Sequence, residues 1–168
     1  PRGRASLTAI LALGSALSWI VSVAGHATPF SYVDIRVTPA AIQLTITAHI
    51  VDISHDLGLS RPESLLESPT NTRAAALGDV LQRRLNLRVT DEAIGCQRTG
   101  PVEALPVTQS LRWSYICAGG TTPDTITATG PLFPYDPEHH TFVNIYVDDA
   151  LRAQADITSM RTSLRPSR

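Results

Sequence analysis

The sequence predicts a mostly β fold, an antiparallel β-sandwich of Ig-like architecture carrying a short helical insertion. Three observations predict it. The segment "AIQLTITAHIV" alternates, with Ile42, Leu44, Ile46, Ala48 and Ile50 on one side and Gln43, Thr45, Thr47 and His49 on the other, the period of a half-buried antiparallel strand. "FSYVDIRVTP", "LNLRVT", "SLRWSYICA", "DTITATG" and "TFVNIYVDD" repeat that grammar between Gly, Pro or Asp residues, as the short strands of a sandwich do. The 168 residues, 43% hydrophobic and 17% charged, suit one modest core and hardly two.

In chain order, the first segment stands apart from that fold. Arg2 and Arg4 precede the uncharged apolar run "ASLTAILALGSALSWIVSVAG", which ends in Gly25-His26-Ala27. This is the three-part layout of a signal peptide over residues 1–27, cleaved after Ala27; the alternative is a retained membrane anchor, since the run is near spanning length. Removing Arg2 and Arg4 takes the formal charge from −1 to −3, so the exported domain, residues 28–160, is mildly acidic. All fourteen basic residues are arginines scattered along the chain, which argues against the clustered basic face of a nucleic-acid binder. A chain that starts at Pro1 and stops in "RTSLRPSR" reads as a fragment, with residues 161–168 beginning a linker.

The strands of "FSYVDIRV" and "AIQLTITAHIV" form a candidate hairpin broken at Thr38-Pro39. A helical insertion follows. Ser60 and Glu63 have the spacing of a capping box, with Pro62 in the first turn, so "RPESLLE" is expected as a short helix. Ser68-Pro69 then reads as the start of a second helix reaching about Arg84, with Leu77, Val80, Leu81 and Leu85 at helical spacing, lying across one end or edge of the sheets. Cys96 and Cys117 can pair only with each other, and export permits the bond; the alternative is two unpaired thiols. In "LFPYDPEHHTFVNIY", Pro134-Tyr135-Asp136-Pro137 reads as a rigid turn delivering Phe142, Asn144 and Tyr146 to one face of a strand and Val143, Ile145 and Val147 to the other. Tyr135 can pack its ring and return its hydroxyl to a backbone group.

Two segments gather ionisable groups. "HIVDISHDLGL" holds His49, Asp52, His55 and Asp56, and residues 135–140 hold Tyr135, Asp136, Glu138, His139 and His140. Imidazole with carboxylate suits a borderline divalent ion such as nickel or zinc, if the two segments meet. The plainer reading is turn chemistry with solvated histidines beside it. Ser54-His55-Asp56 are consecutive, which is poor grounds for a triad assembled in space, and the sequence has no G-x-S-x-G, HExxH or phosphate-cradling glycine loop, so an enzyme is not expected.

Five stretches, "PFSYVDIRV", "HIVDISHDLGL", "PESLL", "LFPYDPEHHTFVNIYVDDAL" and "RTSL", resemble in the same order the exported N-terminal region of bacterial membrane proteins of the HupE/UreJ type, the hydrogenase/urease accessory family. The resemblance covers about residues 26–164. It implies a periplasmic domain at the inner membrane, followed in the family by a bundle of membrane helices. On that basis the expected function is a non-enzymatic interaction or sensing domain, whose partner is the membrane part of the same protein or another periplasmic protein. The alternatives are a nickel- or zinc-binding domain feeding the membrane part and, from a third class, a secreted hydrolase. His55 with Asp56, and His140 with Asp136, fall where the resemblance is best, and on that ground His55, Asp56, Asp136 and His140 are the first choices as metal ligands.

Overall fold

Alternation organises the centre of the molecule. In this computed structural model, which describes residues 30–69, 71–118 and 125–158, β1 (Phe30–Val37) and β2 (Ile42–His49) form the expected antiparallel hairpin, with Val33 opposite Ile46 and Ile35 opposite Leu44. The proposed signal, residues 1–27, and the linker, residues 161–168, lie outside the described residues. Three helices follow, α1 (Ile50–Leu57), α2 (Ser64–Glu67) and α3 (Thr72–Leu85). Four short strands come next, β3 (Arg88–Val89), β4 (Glu92–Ala93), β5 (Cys96–Arg98) and β6 (Glu103–Leu105). The chain then lays down β7 (Ser110–Cys117), β8 (Ile126–Thr127), β9 (His140–Val147) and β10 (Ala150–Ile157).

The large sheet runs β10-β9-β1-β2-β7-β5, with β6 also on β7, and β4-β3-β8 form a small second sheet. The class is therefore mostly β, with two refinements. Not every pair is antiparallel: β9 lies parallel to β1, setting Ser31 beside Thr141 and Val33 beside Val143. Nor is the layer across the core a second large sheet. The two-residue strands of the small sheet are too short to cover it, and α1 and α3 cover much of it instead. Along α3, Ala74, Leu77, Gly78, Leu81 and Leu85 are buried, a stripe at helical spacing that faces the sheet. Trp113 of β7, fully buried, donates its Nε1–H to the Ala74 carbonyl at 3.0 Å. So α3 lies over the sheet's core face rather than across an end or edge.

The helical boundaries also differ from the pattern-based ones. The strand expected to run through Val51 stops at His49, whose Nδ1 accepts from the Val51 N–H and so caps α1. Ile50 and Ile53 then point into the core, and Gly58, in the left-handed region at φ 62°, ends the helix. The Ser60/Glu63 capping box does not form: α2 starts at Ser64, and Glu63 makes no side-chain cap. Asn71, not Ser68, caps α3, its Oδ1 accepting from the Arg73 N–H at 2.8 Å.

Cys96 and Cys117 are joined in a disulfide between directly opposed residues of β5 and β7. The turn at Asp148-Asp149, both at positive φ (50° and 61°), closes a β9–β10 hairpin that alternation alone did not mark. On β9 the faces divide as expected: Val143 and Ile145 are wholly buried, while Phe142, Asn144 and Tyr146 lie on the opposite, open face.

The α3 stripe makes a sharp prediction. A Cβ on Gly78 would run into the indole of Trp113, so the helix approaches the sheet only because that position lacks a side chain. Gly78→Ala should lower stability by about 1–3 kcal/mol, typical of overpacking, despite alanine's better helix propensity. Denaturant midpoints measure it; an unchanged or raised midpoint would mean that α3 does not rest on Trp113.

Candidate metal centre

The first turn of α1 carries Asp52 inward, because Ile50 and Ile53 fix the helix's buried face and Asp52 falls between them. Its side chain is only 5% exposed. The opposite wall is the stretch between Leu132 and β9. There the Asp136 N–H donates to the Phe133 carbonyl, the His139 N–H donates to the Asp136 carbonyl, both at 3.2 Å, and the Glu138 N–H donates to Asp136 Oδ1 at 2.9 Å. These bonds wind Pro134–His139 into a tight double turn that faces Asp136 and His139 toward α1.

Asp52, Asp136 and His139 thereby bring three ligand atoms within 4.8 Å of one another. His139 is buried, with Nε2 3.0 Å from the Ser31 hydroxyl. Its Nδ1 faces Asp52 Oδ2 at 3.7 Å, too far for a hydrogen bond. Neither of those two atoms has a hydrogen-bond partner among the described residues, although both are shut off from solvent. A buried carboxylate oxygen and a buried ring nitrogen left bare beside a second carboxylate fit the donor set of a divalent ion. With Nδ1 as ligand, Nε2 must carry the proton and donates it to Ser31, which fixes the tautomer and the ring's orientation.

Tyr135 closes the assembly. Its hydroxyl lies 3.2 Å from both the backbone oxygen and Oδ1 of Asp52, and its ring stacks on His55 with centroids 3.9 Å apart. The hydroxyl returns to a backbone group as the turn reading expected, while the ring stays 37% exposed rather than sunk in the core. Arg84 ties the walls together, with Nη1 2.5 Å from Asp56 Oδ2 and 2.7 Å from the Leu132 carbonyl.

Of the four ligands expected from sequence, only Asp136 belongs to this group. His55 stands exposed on α1, against Tyr135. Asp56 is committed to Arg84. His140 lies on the sheet's open face, its Nδ1 2.6 Å from Asp156 Oδ2 and its ring beside Phe30 and Phe142. The two residues missed as ligands, Asp52 and His139, carry a signal of their own: Asp52-x-x-His55 and Asp136-x-x-His139 repeat one spacing in the two segments that meet. No family model and no curated protein matches this chain. The site therefore rests on its own geometry.

Burial, followed by the Asp52 carboxylate and then Asp56 and Asp136, pushes the Tyr135 phenol well above its ordinary value; burial, with Asp79 next, does the same to Tyr115. A phenol whose folded value is raised contributes stability that is complete below its unfolded value, about 10, and is lost as pH rises above it. Tyr115 and Tyr135 should thus ionise only as the protein unfolds in alkali, and Tyr135→Phe should flatten the fall in stability above about pH 10. Denaturation at stepped pH tests this; a variant that falls as steeply as the parent would free Tyr135 from Asp52.

Proposed function

We propose that the chain is an exported domain that binds a divalent ion, zinc or nickel, through Asp52, Asp136 and His139. One observation carries the reading: Asp52 Oδ2 and His139 Nδ1 are buried, face each other and have no hydrogen-bond partner among the described residues. Burying such groups bare is costly, and an ion would satisfy both at once. The paired cysteines are in keeping with an oxidising compartment, and the resemblance to the exported region of HupE/UreJ-type proteins supports proposing such a domain for the periplasmic face of the inner membrane. There the domain would hold the ion for the membrane part, with no reaction of its own.

A bound ion stabilises the native state with the logarithm of its concentration over its dissociation constant. Zinc or nickel added to the metal-free chain should raise its melting temperature saturably, and the effect should weaken in acid, where protons compete with the ion for its ligands. Asp52→Asn and His139→Gln should each abolish the shift, and His140→Ala should leave it intact. No shift with either ion well above micromolar concentration would remove the reading.

The interaction-domain reading has an observation of its own. Phe30, Tyr32, Ile116 and Leu151 are exposed, all on the sheet's open face, and Tyr32 stacks on Phe142. On this reading the open face docks the membrane part or a periplasmic protein. Tyr32→Asp should then reduce copurification of the membrane part produced with it, without changing ion binding; equal recovery would remove it.

A further inference from the structure

We infer that the centre is a paired Asp-x-x-His site, in which His55 leaves the face of Tyr135 to become the fourth ligand of a bound zinc ion. The inference rests on the ion reading above and extends it to coordination number and metal choice.

Asp52 and His55 are three residues apart on α1, so both project from one side of the helix. Asp136 and His139 have the same separation in the turn opposite. An acid and a histidine three residues apart is a spacing that lets one local element supply two ligands to a shared ion. Here two such elements face each other, yet only three of the four side chains converge. The fourth, His55, is exposed, and neither ring nitrogen makes a hydrogen bond among the described residues; a stack on Tyr135 is what holds it. That stack sets His55 at the site's edge, since the same Tyr135 reaches Asp52 through its hydroxyl. A change of side-chain rotamer is an inexpensive motion for an exposed residue.

The chemistry favours the move. Two carboxylates and one imidazole leave a divalent ion an open position that water would fill. A second imidazole completes a four-coordinate shell with two nitrogens, which suits zinc and disfavours magnesium and calcium, ions that prefer six or more oxygens. Because His55 alone among the four is exposed on a helix surface, it is the ligand through which the ion enters and leaves.

The discriminating variant is His55→Phe, which keeps a ring to stack on Tyr135 but has no donor atom. Cobalt, as a coloured stand-in for zinc, should give the wild-type chain the intense visible bands of a four-coordinate ion. His55→Phe should still bind cobalt and zinc, at least about tenfold more weakly, a loss no smaller than that of an outer-shell partner. Its bands should collapse to the weak absorption of a water-rich shell, and its metal-free melting temperature should match the parent's. Equal affinity and equal spectra in His55→Phe would overturn the inference while leaving the three-residue site in place. Weaker binding that comes only with a lower metal-free melting temperature would assign His55 to packing and overturn it too. Absence of any cobalt or zinc binding by the parent, or binding unaffected by Asp52→Asn, would instead overturn the ion reading beneath it.

Discussion

The parallel pairing of β1 with β9 is the constraint on which the rest of the molecule depends. It sets Phe30 against His140 and Ser31 against Thr141, and so draws the end of the Pro134–His139 turn to the start of the first described strand. Because β2 returns antiparallel to β1, its last residue, His49, comes back to that same end, and α1 starts there without a connecting loop. The two acid–histidine pairs meet for that reason. A slip of one residue between β1 and β9 would turn Val143 and Ile145 out of the core, so the hydrophobic register that stabilises the sheet also aligns the site.

Around the site, polar burial is arranged unevenly. Ser54 and Ser31 have partners, the first in the Val51 carbonyl and the second in His139 Nε2. Arg84 satisfies Asp56 and the Leu132 carbonyl together, which fastens α3, the end of α1 and the turn-bearing segment to one guanidinium. Asp52 receives one hydroxyl contact on Oδ1 and none on Oδ2. Asp52 Oδ2 and His139 Nδ1 face each other where two carboxylates and an imidazole converge; Thr141 Oγ1, Asp156 Oδ1 and the Tyr115 hydroxyl are the other buried side-chain atoms without a hydrogen-bond partner among the described residues.

Much of this was legible in the sequence, and the rest failed for identifiable reasons. Period-2 alternation marked β1, β2, β7 and β9 as strands and gave β2 and β9 their faces, because each buries most of one side and leaves the other open. Cys96 and Cys117 could pair only with each other, and the bond is there, with Cys117 buried in line with Leu111, Trp113 and Tyr115. Helix α1 was hidden because Ile50 continues the alternation of β2 while also starting the Ile50/Ile53/Leu57 helical spacing; one residue serves both periods. The β9–β10 hairpin was hidden because aspartates rather than glycine hold the positive φ values of its turn. At the site, the family resemblance drew attention to His140, whereas strand parity sends His140 to the open face and leaves His139, just before the strand, in the interior. Asp52 read as one polar residue among several until the helix gave it an inside.

The β1–β9 pair also imposes an order in time. Its two strands are about 110 positions apart in the chain, whereas β1–β2 and the α1–α3 segment close over short loops. Such distant pairing carries the largest loop-closure cost and contributes most to slow folding. A chain emerging from its N-terminus can build the hairpin, the helices and β7 while one edge of β1 still waits for its neighbour. Half of the acid–histidine set is thus laid down early, on α1, and the other half arrives with the last third of the chain. Until residues 136–139 dock, Asp52 faces water and carries little penalty; afterwards it is enclosed. Completion of the sheet and creation of the site are consequently one event, and occupancy of the site would register whether the whole chain has finished folding.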